Sequence, residues 1–132
     1  MLTNFNIGDL LARLNVASKK HLISIKVTYH KFSISILKIL WRNGVINGFL
    51  VSDGLILVFL KYYQLKPVFR ELILISRPGR RVFWTLAFLS NKYVASNFSG
   101  FYIISTSRGL VTSNDCLLGL HLTGEVILRV VV

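Results

Sequence analysis

A chain of 132 residues, 53% hydrophobic and 16% charged, holds enough core-forming side chains to exclude a disordered segment and is too short for a large multidomain enzyme. Sixteen Lys+Arg against five Asp+Glu give a formal net charge of +11, so the expected partner is a polyanion, nucleic acid ahead of an anionic membrane surface. The single cysteine, Cys116, excludes an internal disulfide, and the longest charge-free stretch, Tyr93 to Ser107, is broken by Ser96, Asn97 and Ser99, short of the roughly 20 apolar residues that a spanning helix needs.

In chain order, Ile7, Leu10, Leu11 and Leu14 fall on one face of a first amphipathic helix, with Asp9 and Arg13 paired four residues apart on its other side. Asp9 and Arg13 also interrupt any secretory signal, and the acidic Asp9 argues for a structural helix over an organelle presequence. Leu22, Ile23, Ile25 and Val27 predict a short strand. A second helix follows over Lys31 to Asn43, with Gly44 as its C-terminal cap and Phe32, Ile36, Ile39 and Leu40 as its buried stripe. Lys31, Ser35, Lys38 and Arg42 share a face of that helix.

Val45–Val51 and Leu55–Tyr62 are apolar runs joined by Ser52-Asp53-Gly54, a strong hairpin signal because both central turn positions favour positive φ. Gln64 to Pro67 is the expected lobe boundary, with Pro67 ending the pairing. Beyond it come short strands: Val68–Ile75, Arg81–Phe83, Phe101–Ser105, Leu110–Val111 and Val126–Val132. Thr112-Ser113-Asn114-Asp115 has capping-box spacing and predicts one short helix through Leu118.

Catalytic chemistry finds no support in these residues. Ser105 and Ser107 lie in no GxSxG elbow, His21, His30 and His121 are scattered, and Ser35-Ile36-Leu37-Lys38 is an isolated SxxK match inside a helix. Five carboxylates, one cysteine and three separated histidines leave no acid–base pair or metal set. With one cysteine a reducing compartment fits better than secretion, so the sequon at Asn97 is expected to carry no meaning. Recognition-type motifs fare better. Ser76-Arg77-Pro78-Gly79-Arg80-Arg81 places guanidinium groups around a Pro-Gly turn, suited to phosphate oxygens. Ser105-Thr106-Ser107-Arg108-Gly109 offers hydroxyls that donate and accept, as contacts in a shallow RNA minor groove require. Thr123-Gly124-Glu125 is a turn into the last strand, where glycine permits close backbone approach.

Taken in order, IGDLLAR from Ile7, LKY from Leu60, SRPGRRVF from Ser76, STSRG from Ser105, Thr112 and GEV from Gly124 resemble the small-subunit ribosomal protein S-eight family of bacteria and organelles over nearly the full length. The resemblance implies an α+β fold: an N-terminal α-β-α-β-β lobe (1–66) packed against a mostly β C-terminal lobe (67–132) with one short helix. It implies a non-enzymatic role without cofactor, metal or small-molecule substrate. The implied partners are a helical hairpin in the central domain of small-subunit ribosomal RNA and neighbouring small-subunit proteins, the chain not being an integral membrane protein. By the same resemblance, Ser105, Thr106, Ser107, Arg108 and Gly109 form the loop that meets the RNA, with Gly124 and Glu125 beside it. Ser76, Arg77, Pro78, Gly79, Arg81 and Phe83 form a second loop, and Tyr29, His30 and Lys31 open the second helix on the RNA side.

The chain also departs from the family pattern. Asn15-Val16-Ala17 stands where Arg-Asn-Gly is usual, Tyr29-His30 replaces two serines, and Phe83 replaces a tyrosine. Leu117 to Leu122 is apolar where the family carries arginine, which points to a weaker grip on RNA there or a new protein neighbour. High basicity joined to abundant Phe, Leu, Ile and Tyr predicts an organelle-encoded member, in the matrix of the mitochondrion. The alternative from another class is a basic amphipathic protein lying on an anionic membrane surface. A hydrolase built on Ser105 ranks last.

Overall fold

The computed structural model of the chain describes residues 2–77, 79–95 and 100–132. Pro78 and the Asn97 sequon lie outside the described residues. Helix α1 (Leu2–Lys19) buries Ile7, Leu10, Leu11 and Leu14 as the periodicity requires. On its exposed side Arg13 Nε lies 3.1 Å from Asp9 Oδ2, a surface pair that contributes at most about 1 kcal/mol. Strand β1 (Ser24–Thr28) begins later than the apolar run predicts. His21 takes a φ of 56° to turn the chain after α1, which leaves Leu22 and Ile23 exposed in the connection.

Helix α2 (Lys31–Arg42) buries Ser33, Ile36, Leu37, Ile39 and Leu40. Its cap is Asn43, whose backbone N–H donates to the Ile39 carbonyl, and Gly44, at φ 72°, is the residue just beyond. Strands β2 (Ile46–Ser52) and β3 (Leu55–Leu60) form the expected hairpin, with Asp53 at φ 51° and Gly54 at φ 75° in the primed turn that suits strand twist. β1 pairs on the other edge of β3, giving an antiparallel sheet in the order β1-β3-β2.

A two-residue ladder, β4 (Tyr62–Tyr63) with β5 (Lys66–Pro67), follows. Contrary to the expectation that Pro67 ends pairing, it stands opposite Tyr62. So short a ladder has open edges where a missing N–H is tolerated.

The C-terminal half contains β6 (Glu71–Leu74), α3 (Leu86–Ala95), β7 (Phe101–Thr106), β8 (Gly109–Thr112), α4 (Ser113–Asp115) widening into π-type turns over Cys116–Leu120, and β9 (Glu125–Val131). Its sheet is antiparallel in the order β6-β9-β7-β8. Thr112 caps α4 by accepting from the Asp115 N–H at 3.4 Å. Two expectations change here. Arg81–Phe83 is no strand and makes a single bridge, Phe83 to Glu125. A second helix, α3, joins the short one, so the α+β class stands with more helix than predicted. α3 opens where Thr85 Oγ1 accepts from the Phe88 N–H at 3.2 Å.

The C-terminal sheet is buried on both faces. One face joins α1, α2 and the first sheet in a cluster containing Leu14, Leu40, Phe69, Ile103 and Val130, so this cluster runs across the division at residue 66. The other face packs Tyr102, Ile104 and Val126 beneath Leu89 of α3 and Cys116. Burial on both sides accounts for the apolar runs Phe101–Ile104 of β7 and Val126–Leu128 of β9. No helix among the described residues is long and apolar enough to cross a membrane.

One polar clasp locks α1 to the edge of that sheet. Asn15 Nδ2 donates to the Leu72 carbonyl at 2.9 Å, and the Leu72 N–H donates to Asn15 Oδ1 at 2.9 Å. The side chain thus serves as a one-residue strand on the outer edge of β6. Asn15→Ala leaves both backbone groups part-buried and unpaired, so it is expected to lower unfolding free energy by about 1–3 kcal/mol. A fall in the urea midpoint at constant m-value is the expected signal. Asn15→Asp, which retains only the acceptor, should fall between the parent chain and Asn15→Ala.

Candidate nucleic-acid interface

The hydroxyl-rich stretch folds as the tip of the β7–β8 hairpin, with Thr106 opposite Gly109. Neither Ser107 nor Arg108 has positive φ, and Gly109, at φ 100°, takes the left-handed position that closes the turn. Thr106 is engaged internally: its Oγ1 donates to the Gly109 carbonyl at 2.9 Å and accepts from the Arg108 N–H at 3.1 Å. Ser107 and Arg108 are exposed and Ser105 is half-buried. Among the described residues, the Ser105 and Ser107 side chains have no hydrogen-bond partner. The tip therefore has one hydroxyl that builds the turn and two that remain available.

The start of β9 anchors this tip. Glu125 pairs with Ser105 of β7 on one side and with Phe83 on the other, so the three side chains lie in a row across adjacent backbones. Gly124 packs against the tip so closely that a Cβ there would collide with the Ser105 carbonyl oxygen. An Arg81 guanidinium nitrogen lies 3.0 and 3.1 Å from the two carboxylate oxygens of Glu125, in a partly buried pair. Ser76 is fully buried; its hydroxyl donates to the Val126 carbonyl at 2.5 Å and accepts from the Val82 N–H at 3.1 Å. Ser76, Arg81 and Glu125 therefore hold this junction together, Ser76 fully buried and Arg81 and Glu125 partly exposed. Phe83 is 67% exposed, its ring free to meet a partner.

The basic face of α2 comes to the same tip. Ser35, Lys38 and Arg42 line a groove of about 370 Å³ with Ser105, Gly109 and Leu110, floored by Phe32 and Ile39. Lys38 and Arg42 are not among the expected site residues, although their spacing with Lys31 and Ser35 puts them on one face. Lys31 stands one turn before Ser35, whose Oγ donates to the Lys31 carbonyl at 3.4 Å. Tyr29 and His30 precede the helix at the end away from Arg42. Tyr29 is 42% exposed, and His30 occupies the N-cap position without a side-chain cap bond.

The second basic loop is a tight turn in which Arg77 and Arg80 exchange backbone hydrogen bonds of 3.0 and 2.9 Å, with Gly79 at φ 85°. Arg77, Gly79 and Arg80 are exposed. This turn faces α3 across a separate cleft lined by Arg77, Arg80, Trp84, Phe88 and Lys92. Neither α3 nor the rings of Trp84 and Phe88 are expected from the residue pattern; Thr85, in N-cap position before an apolar run, is the signal that could have found them.

Nothing in this surface assembles a nucleophile. No histidine hydrogen-bonds Ser105 or Ser107 among the described residues. Cys116 is fully buried, and burial, helped by the neighbouring Asp115 carboxylate, pushes its thiol above the ordinary range, away from the reactive thiolate. Among the described residues no group of three or more His, Cys, Asp or Glu is placed to hold a metal ion.

A basic α+β protein with a hydroxyl tip set against a cationic helix offers a surface suited to binding, and comparison with known proteins gives its class. The sequence model of the family described as Ribosomal protein S8 matches residues 6–131. The chain is 30% identical over 125 residues to the small ribosomal subunit protein uS8m of Acanthamoeba castellanii, covering 94% of this chain and 97% of that one. It is 32% identical to the small ribosomal subunit protein uS8 of Rhodospirillum centenum, covering 94% and 95%. For the uS8 protein of the Wolbachia of Brugia malayi the identity is 34%, covering 98% and 99%. The chain belongs to the ribosomal protein S8 family. It is a structural, non-enzymatic constituent of the small ribosomal subunit.

The close approach of Gly124 to the tip supplies a direct test of this geometry. Gly124→Ala forces a methyl group against the Ser105 backbone and is expected to cost about 1–3 kcal/mol, as overpacking does. Amide exchange should accelerate at Thr106 and Arg108, while α1 amides keep their protection.

Proposed function

We propose that the protein binds a folded hairpin of small-subunit ribosomal RNA in the groove between α2 and the Ser105–Gly109 tip. The carrying observation is the convergence of Ser35, Lys38 and Arg42 with Ser105 and Gly109 in one groove, although about half the chain separates them in sequence. Cations on one wall hold phosphates and set the register; hydroxyls on the other meet 2′-hydroxyls and base edges. Ser107, Arg108 and Phe83 extend the contact surface. Arg77 and Gly79 provide a second phosphate contact. Ser76, Arg81, Gly124 and Glu125 act as positioning residues beneath these loops, and Lys31, Tyr29 and His30 meet RNA at the far end of α2.

In this reading the C-terminal lobe, 67–132, carries the recognition loops, and the N-terminal lobe, 1–66, lends the cations of α2. The RNA is the central-domain hairpin that the family resemblance implies, and neighbouring small-subunit proteins complete the setting. A mitochondrial ribosome is the proposed location, supported by the Acanthamoeba castellanii uS8m relative and by the apolar, strongly basic composition. The apolar, partly exposed Leu117–Leu122 segment, with Leu118 82% exposed, suits a protein neighbour better than RNA.

Salt titration separates the two kinds of contact. Lys38→Ala or Arg77→Ala should weaken binding to any RNA and reduce the slope of log affinity against log salt by about 1 for each phosphate deprived of its cation. Ser105→Ala should leave that slope intact and weaken an irregular hairpin more than a regular duplex. An unchanged slope in both cation variants, or equal weakening on hairpin and duplex for Ser105→Ala, would contradict the assignment.

A further inference from the structure

The cleft between the Arg77–Arg80 turn and α3 joins aromatic rings to cations, apart from the α2 groove. Trp84 stands edge-on to Phe88 and to Tyr102, each with ring centroids 5.1 Å apart, so two neighbours hold its plane. Phe88 is 45% exposed, and Lys92 Nζ lies 5.5 Å from its ring centroid. Arg77 and Arg80 are exposed on the opposite wall of this cleft of about 460 Å³, and no carboxylate among the described residues lines it.

We propose that this cleft receives an unpaired base of a single-stranded RNA segment, stacked on the exposed face of Phe88 with its edge toward Trp84, and with flanking phosphates on Arg77, Arg80 and Lys92. Aromatic platforms flanked by cations bind single strands because every base offers a flat face and every linkage a charge. A duplex base keeps both faces inside its own stack, so a paired segment cannot enter. Lys92 is the movable cover: its ammonium sits over the Phe88 ring in the free protein and turns to a phosphate when a base replaces it. The proposal rests on the reading of the protein as an RNA binder and adds a contact that the groove at Ser105 does not make.

The test uses the full chain carrying Trp41→Phe, so that Trp84 alone reports by fluorescence. An unstructured RNA of about ten nucleotides should quench Trp84 to saturation, with a log–log salt slope near −2, about 0.7 for each of three phosphates. Phe88→Ala should loosen this binding by about tenfold or more and leave binding of the folded hairpin unchanged, which also certifies its fold. Lys92→Gln should loosen it less and flatten the slope. Hairpin binding without any response of Trp84 to the single strand overturns the cleft assignment alone. Absence of both in the parent chain overturns the RNA reading itself. Equal quenching by an acidic polyglutamate peptide would assign the cleft to a protein partner and overturn the nucleotide proposal.

Discussion

The close backbone approach of Gly124 to Ser105 fixes the start of β9 against the β7–β8 hairpin tip. Because position 124 has no side chain, the start of β9 can lie against the hairpin tip, and Glu125 can then pair with Ser105 and Phe83 at once. Three segments far apart in the chain meet at that one residue. A larger residue at 124 would separate them by a methyl group, and the hydroxyl loop would lose its floor. In the proposed RNA-binding role such rigidity is an advantage, because donor and acceptor groups then stand in place before a partner arrives.

Charge is arranged around the same junction. Arg81 pairs with Glu125, so one cation and one carboxylate of this acid-poor chain neutralise each other in a partly buried position. Ser76 fills a comparable role, its hydroxyl engaged by backbone of β9 and of the loop. The exposed cations, Lys38 and Arg42 at the groove and Arg77 and Arg80 at the turn, are left facing outward over a supported base. These exposed cations, on α2 and on the turn, flank the Arg81–Glu125 pair, in which the two charges balance.

Several elements were legible from residue pattern alone. The stripe of α1, the cap and turn residues around α2 and the β2–β3 hairpin, and the Thr112 cap depend on contacts within a few residues, which local spacing encodes. The misreadings share a cause. Leu22 and Ile23 look like strand, but the turn at His21 removes them from the sheet. Leu86–Ala95 is apolar on most sides, so helical periodicity is faint, and only the packing of Leu89 onto the C-terminal sheet shows which face is buried. Arg81–Phe83 reads as a strand yet makes only one bridge, because the Val82 N–H is taken by the Ser76 hydroxyl and the Ile127 carbonyl of β9 already accepts from Ile75 and Ser76.

The site divides along the same line. The sequence by itself determined the basic character, the order of the recognition motifs and their family, since each resides in the identity of a few adjacent residues. Only packing between distant segments decides which of those residues are exposed. Ser76 and Arg81 sit in a motif rich in donors, but Ser76 is buried against β9 and Arg81 is engaged with Glu125. Lys38 and Arg42 belong to no loop motif, and the packing of α2 against β8 carries them to Ser105. Spacing along a chain records local turns; exposure and convergence arise from contacts between residues dozens of positions apart.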